Sequence, residues 1–522
     1  MTLQKRYLAV YSVFSCLFSV SASAQVATNL ILPDKNITEA YEKAASQNVL
    51  AAVNNKIFPG YFSVCADGLG FGYGNTYPSL DGHQMSDALL WLGQTEVVKG
   101  NWDYVRGFQK SKGELPIAII PAEAGKMIGP KGFQAPVDPN GGLYKHWVPK
   151  DPLKPLAGPT YIQNADVIFR FTQDKQWLIS QLPSINLTAD YLASMVNAQG
   201  DVGGAGYYVE RPTRVEFDGV SQGHAADAFY RLAALNTIAG DKKSAEKYTA
   251  LANKIKSNFQ NRFWMKDHFA EYYNPERGFI SNHGYTDVDW TSIATHMATR
   301  EQQIILWPNL ISQPSFYYNG MPTGISTKPE TYEAWETTYA DNQDLAAMGR
   351  VWYIEAWARA NMNDGKGLVE SIQRVCKEGR DSGYYWRERY NAKGGYGAKK
   401  YNEYPANLIR ITQRFLFGVE FGLDGSIELS PTAPADFWTA GFGQTIDWRG
   451  IQFTYLMKDK SISGEYQSEK DQVVKVRIKE KMDPAKAKVL INGKSLKSKA
   501  DGEWLVFILP KSSDKIPLVV SF

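Results

Sequence analysis

The chain has 522 residues, with 57 Lys and Arg against 54 Asp and Glu and a formal net charge of +3. Charges of both signs are interspersed along it, so it has no electrostatic footprint for nucleic acid or for an anionic membrane surface. Three cysteines exclude a disulfide-built scaffold, and no Cys/His spacing fits structural zinc.

Residues 1–24 read as a secretory signal. Lys5 and Arg6 form a short basic region, Leu8 to Val20 a largely apolar one, and Ala22-Ser23-Ala24 a small-residue cleavage site. The expected protein is therefore exported, periplasmic or secreted. Lipid attachment at Cys16 is not expected, because "VFSC" lacks the usual small residue before the cysteine. No later segment has the length of a membrane span. Cys65 and Cys376 remain, which allows one disulfide.

From residue 25 to 418 the recurring unit is a pair of amphipathic helices. In "SAEKYTALANKIKSNFQNRFW" the residues Ala245, Tyr248, Leu251, Ala252, Ile255, Phe259 and Phe263 share one helical face. Gly240-Asp241 separates this helix from "AADAFYRLAALNTIA", with Asp241 near the N-cap. The pattern returns around "NMNDGKG", where Leu368, Ile372, Val375 and Cys376 mark the second stripe. Hairpins of this kind build either an open solenoid or a closed double ring. Aromatic- and Gly-rich loops between them favour the ring, in which such loops converge on one face. Beyond residue 418 short β-type runs joined by Gly, Asp and Lys turns predict an all-β sandwich over 419–522. Its expected role is to brace the helical domain. The expected fold is mainly α, a ring of hairpins with a C-terminal β-sandwich.

The chain is rich in aromatics, with 30 Tyr, 24 Phe and 14 Trp. Many stand in Gly-rich loops beside acids, a setting that suits a sugar ring with its C–H face and hydroxyls. "NTYPSLDGHQMSDALLW" places Asp81, His83 and Asp87 at a loop–helix junction, as sugar-contacting groups or helix caps. "VEFDGVSQGHAADAFYRLAAL" sets Glu216 and Asp218 at the mouth of a helix, where Asp218 or Ser221 would cap free N–H groups. Asp287, Asp289 and Trp290 could form a sugar subsite, and their spacing is poor for calcium. "PETYEAWETTYADNQD" carries Glu333, Trp335, Glu336 and Asp341 into a helix. "YYWRERYNAKGGYGAKKYNEYP" sets Glu388 between Arg387 and Arg389, with Trp386, Tyr390 and Glu403 nearby. An ordinary salt bridge is the plain alternative for Glu388. No G-x-S-x-G, P-loop or H-E-x-x-H is present, so neither cofactor nor metal is expected.

The helical pairs, the loop aromatics, the β tail and two of these segments together resemble the six-hairpin, (α/α)6-barrel glycosidases. That group includes glucoamylases, trehalases and bacterial α-L-rhamnosidases. The resemblance implies an inverting hydrolase using two carboxyl groups, one protonating the leaving oxygen and one activating water. Setting Ala234-Leu235 against the group's Arg-Ala-Leu-like segment puts Asp218 at the acid, where glucoamylases have Glu, and Phe217 where they have Trp. Glu216 and Glu210 are its competitors. Glu388, before Gly394-Gly395, matches the late base, with Glu403 as its alternative. Asp81 and His83 fall where such barrels bind substrate, and Trp335, Trp386 and Tyr390 are the expected sugar-contacting aromatics, with a place in the core as the alternative for each Trp.

The expected activity is exo-acting hydrolysis of oligosaccharides derived from complex polysaccharides, with the sugar and the oligomeric state left open. Two rivals stand beside it. One is a polysaccharide lyase on the same scaffold, for which His146, His224 or Tyr390 would serve as base. The other is a non-catalytic glycan-binding protein.

Overall fold

The computed structural model describes residues 25–68, 79–119, 142–144, 156–203, 217–337, 345–479 and 483–522. The expected signal segment lies outside these residues, as do His146, Glu210, Glu216 and Asp341.

Twelve helices form the first part of the described chain: α1 (Lys35–Lys43), α2 (Leu80–Trp91), α3 (Thr95–Arg106), α4 (Ala157–Thr172), α5 (Lys175–Ala193) and α6 (Gly219–Ala239), then α7 (Lys242–Arg262), α8 (Asp287–Ala294), α9 (Arg300–Ile311), α10 (Gly349–Asn361), α11 (Gly365–Asp381) and α12 (Glu403–Ile411). Local chemistry sets their ends. Asp241 caps α7 by accepting the Ser244 N–H at 3.0 Å, and Gly240, at φ 90°, ends α6. Asp364 caps α11 in the same way through Gly367. The α7 stripe is buried at Ala245, Tyr248, Ala252, Ile255 and Phe259, leaving its charged face to solvent.

The even-numbered helices form a closed ring: α2 packs on α4, α4 on α6, α6 on α8, α8 on α10, α10 on α12, and α12 back on α2. The odd-numbered helices pack outside them, with α1 closing against α11 and α12. This is the closed alternative, not the open solenoid. The inner helices are buried on nearly every side, polar residues included, as Ser221, Gln222, His224 and Asn236 of α6 show.

Turns of two to five residues join α2 to α3, α4 to α5, α6 to α7, α8 to α9 and α10 to α11. Such short turns make each pair antiparallel. All the long connections therefore lie at the other end, where each inner helix begins. Asp81, Asp218, Asp287, Arg350 and Glu403 all stand within the first turn of an inner helix or at its cap.

Beyond α12, two sheets of seven and five strands are described. The larger contains a strand the sequence pattern did not announce. Ala27–Ile31, before α1, pairs antiparallel with Phe442–Trp448 and forms the edge of the sheet. Trp448 Nε1 donates to the Phe171 carbonyl of α4 at 2.7 Å, and Arg170 Nη1 donates to the Phe421 carbonyl at 3.1 Å. These bonds tie the β region to the short-turn end of the ring. Cys65 and Cys376 are both buried and are not joined to each other, so the allowed disulfide is not formed.

Candidate active site

Two groups of buried carboxylates stand where the inner helices begin. The first is built by α2, α10 and α12. Arg350 Nε donates to Glu403 Oε1 at 2.5 Å, and Tyr401 donates to Asp81 at 2.8 Å. Glu388 Oε2 accepts the Ala398 N–H at 3.1 Å, and its Oε1 lies 3.3 Å from Arg389 Nε. Glu403 is pushed up to about 7. Burial is the largest cause. Arg350 opposes it, while the charges of Asp81 and Glu388 add to it. Glu403 Oε2 is buried and accepts no hydrogen bond among the described residues. A carboxyl in this setting holds a proton near neutrality and has one oxygen free to present it.

The second group lies by α6 and α8. Asp218 pairs in register with Tyr272, and the Tyr272 hydroxyl donates to Glu336. Glu336 Oε2 accepts the Glu333 N–H at 2.9 Å, and its Oε1 lies 3.0 Å from His283 Nε2. Burial works against the charge on Glu336, but His283, the Glu333 N–H and Tyr272 together outweigh it and hold the group below the usual carboxylate range. Glu271, also buried, accepts the Tyr332 hydroxyl on both oxygens at 3.0 Å. One end of one ring thus holds a carboxyl raised to about 7 and another held below the usual range.

Comparison with protein-family models and with curated proteins gives no match. Among solved structures, the chain is similar to the α-L-rhamnosidase from Dictyoglumus thermophilum, with a TM-score of 0.61, 12% identity and coverage of 96% of this chain and 51% of that one. It is also similar to a rhamnosidase of Bacillus sp. GL1 (0.60, 10%, with 88% and 43% covered). A third is the Streptomyces avermitilis α-L-rhamnosidase complexed with L-rhamnose (0.58, 12%, with 96% and 42% covered). The fold is that of the six-hairpin glycoside hydrolases. At these identities the likeness is one of fold, and the chain spans about half the length of these enzymes or less.

Within this six-hairpin fold the residues nominated from sequence divide. Asp81 and Glu388 come together around Glu403 and Arg350. Asp218 stands at the second group, completely buried, and caps α6: its Oδ2 accepts the Ser221 N–H at 2.8 Å and the Ser221 hydroxyl at 3.0 Å. His83 points down the ring axis, 3.4 Å from Arg410 Nη2. Burial first, then Arg410, lower it to about 3, so it is neutral. Trp335 is half-buried, with Arg277 4.0 Å from its ring centre on one face. Trp386 is completely buried: its indole donates to the Val375 carbonyl at 3.0 Å and its ring packs on Gly379, so no face is left for a sugar. Tyr390 is likewise buried, bonded to the Arg387 N–H and edge-on to Tyr404. Both rings are core in this structure, because the loop bearing them folds inward against α11 and α12.

Asp289 belongs to a capping box with Thr286 and also accepts the Phe269 N–H, a structural duty. Among the described residues no cluster of His, Cys, Asp or Glu could hold a metal ion. His224, a rival base, lies buried inside the ring beside Gln163. Sequence reading missed Glu271, His283 and the pairing of Arg350 with Glu403. None carries a local motif, and only closure of the ring assembles them.

An internal cavity of about 470 Å³ follows the ring axis away from this site, from Leu80, His83 and Arg350 to Arg414, Glu420 and Glu428. Deep within it Asp87 is held by Arg410 at 2.7 Å and by Arg414 at 2.6 Å.

Proposed function

We propose that the chain is an exported, inverting, exo-acting glycoside hydrolase that removes terminal sugars from oligosaccharides. One observation carries the reading: two buried glutamates at the same end of the ring are displaced in opposite directions, Glu403 up to about 7 and Glu336 downward. Environments that push two carboxyls apart assign the acid and the base. Glu403 gives its proton to the glycosidic oxygen as the bond to the anomeric carbon breaks. Glu336 takes a proton from the water that attacks the opposite face, so the product carries inverted configuration. Asp81 and Glu388 keep the proton on Glu403, and Asp218 fixes the start of α6 beside Glu336. The closure of the ring is what favours chain ends over internal bonds in this reading. The likeness in fold to α-L-rhamnosidases supports a deoxyhexose or hexose among the sugars to be tried first.

The test is product analysis by NMR and mass spectrometry on a panel of plant and algal oligosaccharides. The panel is run with the wild type and with Glu403→Gln, Glu336→Gln, Asp218→Asn and Glu388→Gln. Water-added products of inverted configuration, lost in the first two variants, are expected. If Asp218→Asn and Glu388→Gln abolish turnover while the first two do not, the pair read from sequence is the catalytic one. Products carrying a double bond would make the protein a lyase.

A further inference from the structure

His283 is completely buried between two carboxylates, 3.0 Å from Glu336 and 3.8 Å from Glu271. Its ring lies flat on Tyr332, with centres 3.7 Å apart and planes 5° from parallel. Its other nitrogen, Nδ1, is 2.8 Å from the Thr331 hydroxyl. That hydroxyl has one hydrogen, and it donates to the Lys328 carbonyl at 2.7 Å. With that hydrogen on the Lys328 carbonyl, the contact with Thr331 calls for a proton on Nδ1. On the opposite side Nε2 meets Glu336 Oε1, which already accepts the Tyr272 hydroxyl and belongs to a carboxylate that accepts the Glu333 N–H as well. Donation by both ring nitrogens is the arrangement that satisfies these partners while Glu336 is ionised.

We propose that Glu336, His283 and Glu271 act as one unit, in which His283 is a positioning residue that keeps Glu336 ionised and aimed, and Glu271 keeps the second proton on the ring. The inference rests on the glycosidase reading above for its consequence, but not for its geometry. With Glu336 ionised the unit carries one net negative charge. When Glu336 takes a proton from water the unit becomes neutral, because Glu271 still balances the imidazolium. Without Glu271, that step would leave a buried cation uncompensated. The charged and titratable groups around the ring are Glu271, Glu336, Tyr272 and Tyr332, with Lys328 and Glu333 in the connection from α9 to α10, Asp218 at the cap of α6, and Asp287 and Asp289 on α8.

The experiment is nitrogen NMR of the histidine rings in the full-length protein, with His283 assigned among the six histidines by its loss in His283→Gln. Two protonated nitrogens at pH 7 in the wild type, and one in Glu271→Gln, are expected. In kinetics, His283→Gln should lower kcat about ten- to a hundredfold with KM little changed. It should also move the acid limb of the pH–rate profile up by about one unit, since Glu336 loses the cation that keeps it ionised. A neutral His283 ring at pH 7, or a folded His283→Gln with wild-type kcat and an unmoved limb, overturns the proposal. A wild type that turns over none of the sugars counts against the glycosidase reading, and the NMR measurement then decides the unit by itself.

Discussion

Glu403 and Asp87 are both buried carboxylates bonded to arginine inside the same ring, yet they are displaced in opposite directions. Asp87, deep on the axis, has two guanidinium partners. Burial favours its neutral form, but Arg414 and Arg410 outweigh that and hold it well below the usual carboxylate range. Glu403, where the inner helices begin, has one arginine and two neighbouring carboxylates, and burial prevails, lifting it to about 7. The number of cations per carboxylate sets the direction in which each buried carboxyl is displaced. The axis has the richer supply because α12 and the helical turn Thr412–Leu416 that continues it bring in Arg410 and Arg414. The start of the inner helices has the poorer one because Glu403 shares the opposing charge of Arg350 with Asp81 and Glu388.

Five measurements bear on this contrast. The largest effect belongs to the reacting pair: Glu403→Gln and Glu336→Gln should each lower kcat by about 10²–10⁴-fold, as expected for losing a general acid or base, with the fold intact by circular dichroism. Asp87→Asn should instead act on stability, costing about 3–5 kcal/mol in urea unfolding, because Arg410 and Arg414 would be left buried without their shared counter-charge. A loss of turnover in Asp87→Asn without loss of stability would put the axis into the chemistry and erase the distinction.

The third concerns pH. Glu403 donates only while protonated, so activity should fall as pH rises through about 7. Glu388→Gln removes a like charge from its surroundings. Glu403 then ionises at lower pH, and the basic limb should move down by about half a unit to one unit while turnover at acid pH persists. Complete inactivity at every pH would make Glu388 the base itself. The smallest effect is that of Trp386→Phe, which should cost about 1 kcal/mol, the worth of one buried hydrogen bond, and leave KM unchanged. Trp335→Ala should raise KM with little loss of stability. If Trp386→Phe raised KM instead, the loop that buries it would have to open for substrate.

Much of the fold was legible because helices announce themselves locally. The α7 stripe, the Asp241 and Asp364 caps and the Gly240 turn all follow from residues within a few positions of one another. The strand Ala27–Ile31 was not legible, since its partner Phe442–Trp448 lies on the far side of the chain in sequence and only the pairing makes it a strand. The aromatics of "YYWRERYN" show the same limit. Sequence shows a cluster of rings beside acids, but whether Trp386 faces a sugar or Gly379 depends on which way the loop folds.

The sequence by itself determined the helical hairpins, the change to β structure near residue 418 and the supply of acids and aromatics at the loop–helix junctions, because periodicity, capping and turn chemistry act over a few residues. Only the tertiary structure decided that the hairpins close into a ring, that Glu403 is pushed up while Asp87 is held down, and that His283 Nε2 faces both Glu336 and Glu271. Each of these depends on charges and surfaces brought together from distant positions, and the balance of burial against neighbouring charge exists only once they meet.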